Sequence, residues 1–182
     1  RGAFVFRILA FSAAILAIAQ GGVAGPVQVP VAPARPADVS TVDGIVKAYY
    51  EVISGPAGQP REWSRDRTLY PADVRFVEVS EDKDGRIQTR TMTHQQYVDR
   101  VDGELVGKGF DEREIHRVTE RFGSIANVFS TYESRRTKEG PVIARGINSL
   151  QLVYDGARWW IASATWQDET AAHPIPKPYL PN

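Results

Sequence analysis

The residues that could do chemistry in this chain are carboxylates, tyrosines, tryptophans and three histidines, because cysteine is absent. That absence excludes disulfides, thiol nucleophiles and a lipid-modified cysteine within these 182 residues. No Gly-x-Ser-x-Gly elbow occurs, and no glycine-rich loop that would cradle phosphate. Zinc needs three or four convergent Cys, His or carboxylate ligands. The scattered His94, His116 and His173 do not supply that spacing, so no metal or other cofactor is expected. His94 opens a helical segment and His173 lies among prolines, both positions that favour solvation. His116 sits on a strand-like segment beside Glu114 and Arg117, where it reads either as a pocket acid or base or as a surface histidine.

Aromatic residues form the second constellation. Tyr50, Trp63, Tyr97, Trp160 and Trp166, together with Asn148, would give an apolar hollow with few polar groups, the usual character of a small-molecule site. Strict alternation along a strand places residues 160, 162, 164 and 166 on one face, so Trp160 and Trp166 are expected to point the same way. Ordinary core packing is the competing reading of the same residues.

Positioning these groups requires a mixed architecture. Val42, Ile45, Val46, Tyr49, Tyr50 and Ile53 recur at helical spacing, with Ser40 or Thr41 as cap and Gly55-Pro56 as terminator. A shorter helix is expected over 61–68, with Trp63 facing inward. Segments 74–79 and 87–92 are rich in β-formers and flank Asp82-Lys83-Asp84-Gly85, a hairpin pattern. Thr93 and Gln96 form a capping box that opens a third helix carrying Tyr97, Val98, Val101 and Leu105. Strands then follow over 112–121, 124–135, 143–154 and 158–167, the last two joined by Asp155-Gly156. On the second of these, Ala126, Val128, Ser130 and Tyr132 form one row. Three helices followed by a long antiparallel meander make an α+β fold.

The ends read differently. Arg1 and Arg7 flank the apolar run from Ile8 to Ala19, which is short for a membrane span but fits a secretory signal. Ala17-Ile18-Ala19 and Gly22-Val23-Ala24 offer small-residue cleavage sites. The expected organisation is a signal peptide over 1–24, a Pro-rich linker over 25–39, one folded domain over 40–169 and a Pro-rich tail over 170–182. Export to the periplasm or the exterior follows, with membrane association only if the leader stays uncleaved. The formal net charge of zero gives no electrostatic footprint for nucleic acid.

The order of elements, with Leu69-Tyr70-Pro71-Ala72-Asp73-Val74-Arg75-Phe76, the stretch Ile125 to Tyr132 and the stretch Tyr154 to Ile161, resembles the NTF2-like superfamily, including its SnoaL-like and ketosteroid-isomerase-like members. The resemblance implies a bent sheet wrapped around three helices, an apolar pocket in the open end of the cone and homodimerisation through the sheet. Members of this fold include enzymes and non-catalytic proteins, so function must come from the site. By the resemblance, Glu78 falls where the isomerase-like proteins carry a carboxylate general base, although it also belongs to the exposed cluster Glu78, Glu81, Asp82 and Asp84. The position that would carry an oxyanion-stabilising acid is Leu150, which cannot donate a hydrogen bond. Tyr49 or Tyr50 would be left as a lone donor, so ketosteroid isomerisation is not expected. The expectation is a protein that binds a small apolar ligand, or a protein partner, in its cone. The alternative is a cofactor-free acid–base enzyme of isomerase, dehydratase or hydrolase type using Glu78 or His116.

Overall fold

The computed structural model describes residues 33–181, so the expected leader and most of the expected linker lie outside the described residues. The elements are α1 (Pro36–Val39), α2 (Val42–Ile53), α3 (Trp63–Asp66) with a 3-10 turn Arg67–Leu69, β1 (Arg75–Glu81), β2 (Ile87–Met92), α4 (His94–Lys108), β3 (Asp111–Phe122), β4 (Ile125–Arg135), β5 (Val142–Tyr154), β6 (Trp159–Asp168) and a last 3-10 turn Lys177–Tyr179. Local chemistry explains the boundaries. Thr41 accepts from the Gly44 amide to cap α2, and Thr93 with Gln96 closes the expected capping box on α4. Asp155 accepts from the amides of Ala157 and Arg158 in the β5–β6 turn, where Gly156 takes φ 99°.

The six strands form one sheet in the order β2-β1-β6-β5-β4-β3. Each pairing is antiparallel except β1 with β6, which run parallel. After β2 the chain crosses through α4 to the far edge, and the meander from β3 to β6 then returns to β1. Bulges at Ile115, Ile143 and Ala162 interrupt the ladders, and each such insertion bends its strand. The helices lie in the concavity, where Ile45, Val46 and Val52 of α2 are fully buried against Val128, Leu150, Leu152 and Ile161 of the sheet. The fold class is therefore the α+β curved-sheet arrangement expected from the sequence.

Both proline-rich margins contribute more structure than their composition suggests. Residues 36–39 make a turn of helix rather than extended linker, giving four α-helices among the described residues. Pro36 occupies the first turn, where its missing N–H is not needed. Arg65 anchors that turn through two contacts of 2.8 Å to the buried Asp38. At the other end the tail folds over the outer face of the sheet: Ile175 is buried, the Tyr179 ring sits 5.1 Å from Phe129, and the Thr131 hydroxyl donates to the Tyr179 carbonyl at 2.6 Å.

Candidate functional site

The inner face of the sheet is best read in rows that cross the strands. Nearest the narrow end, Ala126, Leu152 and Ile161 lie side by side. The next row, Val128, Leu150, Ala164, Phe76 and Met92, spans five strands and is buried throughout. One step toward the open end the chemistry changes: Ser130, Asn148, Trp166, Glu78 and Arg90 are neighbours. Beyond them come Tyr132, Gly146 and Asp168, and then Glu112, Ser134 and Ala144. The helices stop short of these last rows and leave a cavity of about 390 Å³, walled also by Tyr49 and Ile53 of α2 and by Tyr97, Arg100, Val101 and Leu105 of α4.

Three local features hold the cavity's polar groups. Ser54, at the end of α2, accepts from the Glu112 amide at 3.0 Å, while Gly55 and Phe110 exchange backbone hydrogen bonds. Together they pin the start of β3 and aim Glu112 inward. Gly146 lets the Tyr132 ring cross its strand, so that the phenol donates to Asp168 two strands away. A Cβ at Gly146 would fall 2.3 Å from the Tyr132 hydroxyl oxygen. Behind the wall, Tyr49 donates to Asn148 Oδ1 at 3.2 Å, Asn148 Nδ2 donates to Tyr50 at 3.1 Å, and Tyr50 shares a 2.6 Å hydrogen bond with Ser130. That chain fixes the amide and both phenols.

Electrostatics divides the cavity into a mouth and an interior. Glu78 stands at the mouth beside Arg100 (3.0 Å) and Arg90 (3.6 Å). It is an ion-paired carboxylate, not the isolated base that proton abstraction would favour. Glu104 is likewise paired with Arg136 at 2.9 Å. Inside, Glu112 accepts from Ser134 at 2.7 Å. As a whole residue Glu112 keeps some accessible surface, but its carboxyl is enclosed by protein. Burial, with the nearby Asp168 charge adding to it, pushes that carboxyl up to about 7, while Ser134 and Asn148 pull the other way. Burial also raises the Tyr49 and Tyr97 phenols well above their ordinary value, which keeps them neutral donors.

Of the residues singled out in the sequence, Tyr97, Asn148, Trp166 and Glu78 line this cavity. Tyr50 lies behind it in the Asn148–Ser130 chain. Trp63 backs it from outside, edge-on to Tyr97 at 6.2 Å, with its indole donating to Asp102 at 2.6 Å. Trp160 and His116 are on the opposite face, contrary to a pocket role, and the cause is the same for both. The bulge at Ala162 switches alternation so that Trp159, Ile161, Ala164 and Trp166 face inward. Trp160 instead donates to Asp155 at 2.6 Å and stacks under Arg158. The bulge at Ile115 does likewise for His116, which pairs with the outward Thr131. His94 is not solvated as expected: it meets the fully buried Asp66 at 2.6 Å, and Tyr70 donates to the same carboxylate at 3.1 Å. Sequence reasoning passed over Glu112, Tyr132 and Asp168 as site residues. Period-two counting from Trp166 would have found Asp168.

A larger hollow of about 890 Å³ lies between α2 and the edge strand β3. Part of its charged lining is already paired, Lys47 with Glu51 and Arg117 with Glu114 and Asp43, and Glu112 borders this hollow as well as the smaller one. It is a flank groove, whereas the smaller cavity occupies the cone itself.

Solved structures share this architecture at low sequence identity. A protein of unknown function with a cystatin-like fold from Nostoc punctiforme superposes with a TM-score of 0.54 at 6% identity, over 71% of this chain and 90% of its own. A protein assigned as the beta subunit of an aromatic-ring-hydroxylating dioxygenase from Novosphingobium aromaticivorans gives 0.52 at 17% identity, over 75% and 95%. One assigned as a scytalone dehydratase from the same organism gives 0.50 at 15% identity, over 72% and 83%. The fold is NTF2-like. No protein-family model and no curated protein matches the chain. The NTF2-like cone thus supplies a scaffold with a hollow end, and the reading of that hollow rests on the side chains in it.

Proposed function

We propose that this protein binds a small organic molecule in the open end of its NTF2-like cone. The observation that carries the reading is the half-open hollow of about 390 Å³ with Tyr97, Trp166, Phe110, Ile53 and Leu105 as apolar wall and Asn148, Glu112 and Asp168 as polar groups. Its size and its polar groups set against an aromatic wall suit a small-molecule site. A fragment screen by thermal shift on the full chain tests it. Binders should stabilise the protein, and Ala144→Phe, which fills the cavity from its wall, should abolish the shift. Shifts that survive in a folded Ala144→Phe protein would contradict the assignment.

A second reading, cofactor-free proton transfer, draws on Glu112 rather than on Glu78 or His116. A carboxyl pushed up to about 7 is poised to give and take protons near neutrality. Leu150, fully buried in the apolar row, leaves no acid at the expected oxyanion position. Deuterium wash-in at an acidic C–H of a bound fragment, lost in Glu112→Gln, is the outcome this reading requires. Retention of wash-in by that variant would remove Glu112 from the chemistry.

Export and self-association belong to the same proposal. Export rests on the pattern of Arg1 to Ala24, and fractionation of the expressing cell tests it. Among the described residues no helix is long and apolar enough to cross a membrane. Pairing of two copies through the sheet draws on Phe122, Ile125 and Val153, neighbours on the outer face that stay exposed. Sedimentation of the full chain, with Phe122→Lys as the disrupting variant, tests it.

A further inference from the structure

The charges around the cavity do not cancel. Four carboxylates line it, Glu78, Glu104, Glu112 and Asp168, against two guanidiniums, Arg100 and Arg136. Both guanidiniums are engaged at the mouth, Arg100 with Glu78 and Arg136 with Glu104. Glu112 and Asp168 are thereby left without a cationic partner among the described residues, and only neutral groups reach them, Ser134 and Asn148 for one and Tyr132 for the other. They also face each other across the same hollow, since Asp168 is among the charges acting on Glu112. Enclosing the unpaired Glu112 carboxyl is costly, and the like charge of Asp168, which stays exposed at the rim, raises that cost. An arriving cation would relieve both. A neutral apolar molecule would relieve neither, and an anion would meet repulsion from each.

The rest of the cavity complements the same ligand. Tyr97 and Trp166 stand edge to face, ring centroids 5.9 Å apart, where the wall meets the polar end. Aromatic faces attract ammonium groups, and more strongly when water is excluded. We propose that the cavity selects an organic cation, a primary or secondary ammonium on a compact apolar body, with its charge seated between Glu112 and Asp168 and its body against Tyr97 and Trp166. This rests on the binding reading above and adds the ligand's class to it.

The groups facing Glu112 are Asp168 from β6, Tyr132 from β4, Asn148 from β5, Tyr49 and Tyr50 from α2, and Ser134. Tyr97, Arg100 and Glu104 of α4 and Arg136 complete the cavity side, and Glu112 also borders the flank groove that holds Glu51, Glu114, Arg117 and Lys138. On the cavity side none of these is a free cation, so a bound ammonium would bring Glu112 the positive charge it lacks there. Binding below neutrality should release a proton from it.

The test is calorimetry on the full chain with three probes of nearly one shape: benzylamine, benzyl alcohol and benzoate. Benzylamine should bind about tenfold or more tightly than benzyl alcohol, and benzoate should not bind. At pH 6.5 the benzylamine heat should vary with the ionisation enthalpy of the buffer, reporting proton release, and Glu112→Gln should remove that variation. Asp168→Asn should weaken benzylamine by about tenfold while leaving benzyl alcohol unchanged, a split that simple loss of folding would not give. Benzyl alcohol or benzoate binding as well as benzylamine would overturn the cation assignment and leave the cavity reading standing. Benzylamine binding undiminished in Ala144→Phe would place the site elsewhere and overturn it. Failure of all three probes to bind would overturn it too, and the fragment screen would then decide the cavity reading separately.

Discussion

The two ends of the inner sheet face are built by the same strands yet do opposite things. At the narrow end, Val128, Leu150, Ala164, Phe76 and Met92 meet the apolar stripe of α2 and leave no room. At the open end, two to four residues further along those strands, Tyr132, Asn148 and Asp168, joined by Glu112 of β3, surround a hollow. One face of a sheet can therefore carry stability in some rows and binding in others. The division follows where the helices stop covering it. Substitutions should sort the same way, by row.

Four outcomes would break or sharpen this division. Leu150→Ala removes a fully buried side chain from the filled end and should cost about 2–5 kcal/mol in urea denaturation, with fragment binding retained in the protein that folds. Glu112→Gln tests the hollow end through pH. The unfolded carboxyl titrates near the ordinary value of 4.5 and the folded one at about 7. Below 4.5 both states hold the proton and the group contributes nothing. Between these values only the folded state holds it fully, so wild-type stability should fall as pH rises, by at most about 3 kcal/mol, and level off above 7. Denaturation between pH 4 and 8 should show that decline in wild type and a flatter profile in the variant. Gly146→Ala places a methyl against Tyr132 and the Gln167 carbonyl, so it should cost about 1–3 kcal/mol by overpacking and weaken binding by displacing the phenol from Asp168. His116→Ala and Trp160→Phe, on the outer face, should leave fragment binding unchanged. A loss there would mean that the two faces are coupled.

Most elements were legible because periodicity and turn chemistry act locally: the stripe on α2, the Thr93–Gln96 box and Asp155-Gly156 each declared an element without help from the rest of the chain. The row Ala126, Val128, Ser130, Tyr132 was legible for the same reason. What alternation could not show was its own interruption. Ala162 and Ile115 carry no distinctive chemistry, yet their bulges sent Trp160 and His116 to the wrong side of the sheet from a pocket. The parallel pairing of β1 with β6 and the partnership of Asp66 with His94 depend on contacts between distant segments, which no local pattern encodes. Glu112 was hidden for a related reason. Its enclosure comes from Ser134, Asn148 and Asp168 on three other strands.

Everything assigned to the open end depends on the Glu112 carboxyl being enclosed in the hollow and facing Asp168. Carbon-13 NMR titration of the glutamate side chains, with Glu112→Gln to assign the resonance, measures this directly. A Glu112 carboxyl titrating close to pH 7 is the expected result. A value in the ordinary carboxylate range near 4.5 would mean that water reaches it freely, and would contradict the enclosed acidic cavity.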